Sequence, residues 1–139
     1  MKIHTTKSES ETKKLAAKFA KKLKGGEVVE LIGELGSGKT TFVRGAVEAL
    51  GSKVRVKSPT FTILNEYPVE HQKIKMVAHL DLYRFDYAQQ LEALALDDYQ
   101  RPDVVLFIEW PEIIEQAPLE ATHRIRFEIV DEDTRKITL

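Results

Sequence analysis

The chain has 139 residues, 21 Lys and Arg against 22 Asp and Glu, a formal net charge of −1 and no cysteine. That length suits one domain, 1–139, with a genuine core, and the near-neutral charge excludes a global field drawing the chain onto nucleic acid or an anionic membrane. Without thiols there is no disulfide framework or thiolate metal site, and without an 18-residue apolar run or a signal-peptide core the expectation is a cytoplasmic protein with no membrane partner.

In chain order, residues 2–5 predict a short edge strand. Ser8, with Glu11 three residues on, fits a capping box opening a helix that runs to about Lys24 on a Leu15, Phe19, Leu23 stripe. Gly25-Gly26 ends it. Lys13, Lys14, Lys18, Lys21, Lys22 and Lys24 make this helix basic; the spread fits a solvated face, with RNA phosphates or an acidic partner as the other reading. Residues 28–32, Val-Val-Glu-Leu-Ile, predict a buried strand.

Residues 33–40 then read Gly-Glu-Leu-Gly-Ser-Gly-Lys-Thr, a full G-x-x-x-x-G-K-[ST] phosphate-binding loop. Gly33, Gly36 and Gly38 permit backbone angles and close approach that a Cβ forbids. The peptide N–H groups of Glu34, Leu35 and Ser37 and the start of the next helix at Thr41 can then face phosphate oxygens. Lys39 supplies an ammonium for the β and γ phosphates, and the Thr40 hydroxyl is a hard ligand for Mg²⁺. The helix that follows carries Phe42, Val43, Ala46, Val47 and Leu50 on one face and stops at Gly51.

Residues 60–64 and 74–82 predict two strands flanking a polar turn, and residues 89–96 a short helix. Residues 104–108 form an apolar run expected to be a strand buried on both faces. Residues 124–130 alternate, with Ile125, Phe127 and Ile129 on one side. The turn Asp131-Glu132-Asp133 leads into a last strand with Ile137 and Leu139. The expected architecture is α/β: one P-loop NTPase-like domain, three-layer, with a mixed β-sheet flanked by helices.

Such a loop needs an acid at the carboxyl end of a buried strand, and Glu109 follows residues 104–108 directly. Asp81 is the second acid. In an extended segment His79, Asp81 and Tyr83 share one face and Leu80 and Leu82 the other, which turns Asp81 away from the core. Its role stays open between outer-shell Mg²⁺ ligand, water-orienter and base. His79 alone reads as structural. Ser58-Pro59-Thr60-Phe61-Thr62 lies where nucleotide switches carry a γ-phosphate-sensing hydroxyl, with Thr60 and Thr62 as candidates, although by itself the stretch reads as an ordinary loop-to-strand entry. Trp110 follows Glu109 and, by composition, caps the core. A GTPase is disfavoured, because no N/T-K-x-D motif is present and Asp81-Leu82-Tyr83-Arg84 lacks the glycine of D-x-x-G.

Together, G-E-L-G-S-G-K-T-T at 33–41, S-P-T-F-T at 58–62, H-L-D-L-Y-R at 79–84 and I-E-W-P-E at 108–112 resemble one family, the bacterial TsaE (YjeE) ATPases of tRNA threonylcarbamoyladenosine synthesis. Two departures are mild: Glu34 where the family usually has Asp, and Ser37 where it usually has Ala. The resemblance implies a small ATPase, using ATP/ADP and Mg²⁺, that resets a TsaB–TsaD assembly modifying adenosine 37 of tRNA and meets tRNA only through that assembly. It implies phosphate and metal binding by Lys39 and Thr40, a metal role for Glu109 and an essential role in hydrolysis for Asp81. Thr12 and Arg135 would border the nucleotide, and Ser58, Thr60, Thr62 and Trp110 would be switch elements. Two other readings are a small-molecule kinase with Asp81 as base, and a nucleotide-dependent binding switch without relevant turnover.

Overall fold

The structure, a computed structural model, describes residues 1–54, 64–81, 96–110 and 120–139, without the side chains of Leu96 and Trp110. Its strands are β1 (Ile3–Thr6), β2 (Val28–Ile32), β3 (Leu64–Pro68), β4 (Met76–Asp81), β5 (Val104–Trp110), β6 (His123–Ile129) and β7 (Arg135–Thr138). Its helices are α1 (Glu9–Ala20) and α2 (Lys39–Ala49), with a 3-10 turn at Leu96–Tyr99. The strands form one seven-stranded mixed sheet in the order β1-β7-β6-β2-β5-β4-β3. β2 runs parallel to β5 and β6, and β4 runs parallel to β5; the pairings β1–β7, β6–β7 and β3–β4 are antiparallel. The sheet is mixed, as the strand patterns predict.

Side-chain alternation divides the sheet into two faces. Val29 and Leu31, Val77, Val105 and Phe107, Ile125 and Phe127, and Ile137 join the apolar sides of α1 and α2 in the larger core. Val28 and Ile32, Ala78 and Leu80, and Val104, Leu106 and Ile108 form a second core on the opposite face. The five-residue apolar run of β5 thus serves both faces at once.

One glycine lets the helices lie close. A Cβ on Gly45 of α2 would come 2.7 Å from both Cα and the carbonyl O of Lys13 in α1. Above that contact the Phe19 and Phe42 rings pack with centroids 5.6 Å apart, and Phe42 meets Phe127 edge-on at 5.5 Å. Gly25, at φ 104°, turns the chain from α1 into β2, and a Cβ there would sit 2.1 Å from the Pro102 carbonyl O.

Local signals hold with instructive differences. Ser8 caps α1 by accepting from the Glu11 N–H at 3.1 Å, but the Glu11 carboxylate takes the Lys7 N–H, one residue before the cap. The helix ends at Ala20 rather than Lys24. The chain continues in tighter turns, with Lys22 N–H to Phe19 O and Leu23 N–H to Ala20 O, which still deliver Leu23 to the core. β3 occupies residues expected to be a polar turn, since an edge strand tolerates Asn65, Glu66 and a terminal Pro68. Ile129 is 43% exposed rather than buried, because it lies past Phe127, the last β6 side chain in the core. The predicted strand at 60–64, apart from Leu64, and the predicted helix at 89–96, apart from Leu96, lie outside the described residues. No described helix is long and apolar enough to cross a membrane.

Candidate active site

The carboxyl ends of β2, β4 and β5 converge beside the start of α2, where the 33–40 loop leaves the sheet. Gly33 ends the strand in a tight place: a Cβ there would come 2.6 Å from Ser37 Oγ and 2.8 Å from the Phe127 carbonyl O. Gly36 and Gly38 have φ 81° and 104°, a left-handed region that favours glycine. Gly38 is the N-cap of α2 and has no side chain to occupy the first-turn N–H groups, and no acid stands in that turn. No side chain of α2 itself therefore offsets the positive end of the helix.

Lys39 is buried and folds back over the loop. Its ammonium donates to the carbonyl oxygens of Gly33 and, at 3.3 Å, Glu34. Arg135 in β7 clamps the crest from outside, donating to the Gly36 carbonyl at 3.1 Å and to the carbonyls of Asp131, Glu132 and Thr134. The turn before it is held by the Asp131 carboxylate, which accepts from the Asp133 and Thr134 N–H groups. Thr12, also buried, joins α1 to β1 through a 2.8 Å hydroxyl contact with Thr6.

Parity explains the acids. Val105, Phe107 and Glu109 share the helix-covered face of β5, as Val77, His79 and Asp81 do in β4, and the register pairs Asp81 with Glu109 and His79 with Phe107. The face that buries valine and phenylalanine thus ends in carboxylates where the loop begins. Glu109 is 4% exposed; one oxygen accepts the Thr40 hydroxyl at 3.0 Å and the other meets His79 Nε2 at 3.0 Å. Burial pushes the Glu109 carboxyl up, but the hydrogen bond and charge of His79, the Thr40 hydroxyl and the Lys39 ammonium together hold it below its ordinary range.

A cavity of about 310 Å³ opens on this cluster. Of the residues singled out in the sequence, Thr12, Leu35, Gly36, Gly38, Lys39, Thr40, Thr41, Asp81, Glu109 and Arg135 all line it. Gly33, Glu34 and Ser37 do not line it but build the loop behind it; Ser37 is fully buried, and its Oγ has no hydrogen-bond partner among the described residues. Ser58, Thr60 and Thr62 lie outside the described residues, and of Trp110 only the backbone is described, opposite Ile32. Pattern reasoning missed Ser8, Glu9, Glu132 and Asp133 on the cavity wall, for which no motif exists, and the burial of His79. The shared parity of His79 and Asp81 was the available signal for the latter.

The donor set fits Mg²⁺. Thr40 Oγ1 and a Glu109 oxygen are adjacent hard oxygens, and the described residues hold no group of three or more His, Cys, Asp or Glu arranged as a metal cage. Mg²⁺ is commonly held in this way, by one or two protein oxygens with water and substrate phosphate completing the shell.

Comparisons with known proteins converge. A family profile described as "Threonylcarbamoyl adenosine biosynthesis protein TsaE" matches residues 6–137. The tRNA threonylcarbamoyladenosine biosynthesis protein TsaE of Bacillus subtilis is 38% identical over 133 residues, covering 96% of this chain and 81% of that protein. The Aquifex aeolicus protein of the same description is 39% identical over 137 residues, covering 95% and 90%. The crystal structure of Bacillus subtilis YdiB superposes with a TM-score of 0.73 at 33% identity, covering 98% of this chain and 82% of that one.

Proposed function

The chain belongs to the TsaE family, with its role in tRNA threonylcarbamoyladenosine biosynthesis, and from that premise we propose that it is a Mg²⁺-dependent ATPase. In this reading it hydrolyses ATP to ADP and phosphate in the cytoplasm, supports a TsaB–TsaD-type assembly, and meets tRNA only through that assembly. The observation that carries the reading is the hydrogen-bonded Thr40–Glu109 pair beside Lys39, set in a loop whose helix end carries no capping side chain.

Each residue then has a physical task. Lys39 exchanges the Gly33 and Glu34 carbonyls for phosphate oxygens, a charge-assisted contact that is shorter and stronger than a neutral one. The Thr40 hydroxyl offers its lone pairs while its O–H stays aimed at Glu109. Mg²⁺ held there would neutralise charge developing on the phosphates. Asp81, in register with Glu109, is placed to orient the attacking water or an outer-shell ligand. Arg135 and Thr12 border the nucleotide.

Dependence on a partner has its own support. Among the described residues the cations lining the cavity are Lys39 and Arg135, and Arg135 is committed to four backbone carbonyls. A further cation from outside is worth about 10³–10⁵ in rate in related phosphoryl transfer. Leu35, 75% exposed on the crest of the loop, offers an apolar contact to whatever covers the cavity. The test is phosphate release from ATP and Mg²⁺ by the purified protein, alone and with purified TsaB–TsaD partners. Slow release alone, faster release in the complex and none from Lys39→Ala are expected. Equal rates with and without partners would remove the partner part, and no release in either case would leave a binding switch.

A further inference from the structure

His79 is fully buried in β4, yet it is polar and stands one residue from each of two core side chains, Ala78 and Leu80. A histidine in such a place is costly unless its nitrogens are satisfied. Here Nε2 meets Glu109 at 3.0 Å, while Nδ1 has no hydrogen-bond partner among the described residues. Glu109 accepts, so Nε2 donates, and this one bond is what ties the buried ring to the carboxylate.

The arrangement is a chain of directed hydrogen bonds. His79 Nε2–H is aimed at one Glu109 oxygen, and the other oxygen receives the Thr40 hydroxyl at 3.0 Å. A carboxylate held at one oxygen by a buried ring cannot rotate freely, so its other oxygen faces Thr40 in a set direction. With its O–H aimed at that oxygen, Thr40 turns its lone pairs elsewhere, and Thr40 lines the cavity.

We propose that His79 is a positioning residue, which acts through Glu109 to aim the Thr40 hydroxyl at a phosphate-bound Mg²⁺; this rests on the nucleotide reading above. His79 touches neither phosphate nor metal. Groups that orient a ligand in this way typically change metal affinity by about 10- to 100-fold when removed.

The experiment is calorimetric titration of ATP into the wild type, His79→Leu and His79→Gln, in chelator and across a Mg²⁺ series. Leu keeps the volume and removes the donor; Gln restores an N–H near the position of Nε2. The Mg²⁺ concentration giving half-maximal enhancement of ATP affinity is expected to rise about 10- to 100-fold in His79→Leu and to return towards wild type in His79→Gln. Affinity in chelator should be unchanged in both. In a Thr40→Ala background, adding His79→Leu should change nothing further, since the residue it acts upon is gone. An unshifted Mg²⁺ dependence in His79→Leu overturns the proposal and leaves the nucleotide reading intact. So does an equal loss in chelator and in Mg²⁺, or an undiminished effect in the Thr40→Ala background. If His79→Leu does not fold, His79→Gln decides alone, with near-wild-type Mg²⁺ dependence supporting the role and a loss as large as that of Glu109→Ala overturning it. A wild type that binds no ATP in either condition would instead remove the nucleotide reading itself.

Discussion

Replacing Gly45 by alanine sets two forces of known size against each other at the joint between α1 and α2. Alanine is favoured over glycine in a helix interior by about 1 kcal/mol, so propensity alone predicts a more stable protein. The structure predicts the reverse. The added Cβ would lie 2.7 Å from Lys13 Cα, 2.7 Å from Lys13 O and 3.0 Å from Ala16 Cβ, where carbon atoms ordinarily rest at about 3.5–4.0 Å. Two of those neighbours are backbone and cannot swing aside, so α1 must move away by the better part of an ångström. Overpacking costs about 1–3 kcal/mol, and this site belongs at the upper end because the Phe19–Phe42 contact loosens with it. The net expectation is a loss of about 1–2 kcal/mol, or a Tm lower by about 3–7 °C. Urea and thermal unfolding measure it. ATP affinity should fall too, because Ser8, Glu9 and Thr12 on α1 form one wall of the cavity. A Gly45→Ala protein as stable as the wild type, or more so, would refute the argument from close approach and leave propensity in charge.

Lys39→Ala should weaken ATP binding directly by removing a phosphate charge, whereas Asp81→Ala should keep binding and lose hydrolysis; calorimetry with single-turnover assays separates them, and a large affinity loss in Asp81→Ala would exclude a role confined to the transition state. The isolated protein should show no submicromolar tRNA affinity at physiological salt in filter binding, since Lys13, Lys14 and Lys18 spread around α1 at about 100° per residue, Lys21, Lys22 and Lys24 lie past its end, and Lys13 is tied to Glu48 at 3.2 Å. Tyr99 donates to Glu66 at 2.7 Å, and that hydrogen bond, with burial and the nearby carboxylates, raises its pKa from 10.0 to about 12. The neutral phenol is the form the fold prefers, so the stability it contributes is complete below pH 10.0 and is lost as pH rises through about 12. Tyrosinate absorbance should therefore show one group titrating late in the wild type and earlier in Glu66→Gln.

Much of the site could be read in the chain because its chemistry is local. Eight consecutive residues carry the loop, and each glycine answers to a backbone angle or a close approach inside that stretch. Alternation placed Asp81 opposite Leu80, and the end of an apolar run located Glu109, since both follow from the two-residue period of a strand. The edge strand at the N-terminus, the Ser8 cap and the stop at Gly51 are likewise settled by neighbours a few residues away.

What the sequence could not determine is what meets across long separations. Nothing in the order of residues says that β2 lies between β5 and β6, so nothing says that Thr40 and Glu109, 69 positions apart, share a hydrogen bond. The pairing of β4 with β5 likewise turned His79 from a lone histidine read as structural into the partner of Glu109. Arg135 reaches the Gly36 carbonyl only because the antiparallel return of β7 carries it back to the loop, and Gly45 matters only because α1 crosses α2 there. Helix ends and edge strands escaped for a related reason: the last turn of α1 and the polar residues of β3 follow the core they touch more than their own propensities. Short-range periodicity decides which way a side chain faces, and sheet order, which depends on the packing of the whole chain, decides what it faces.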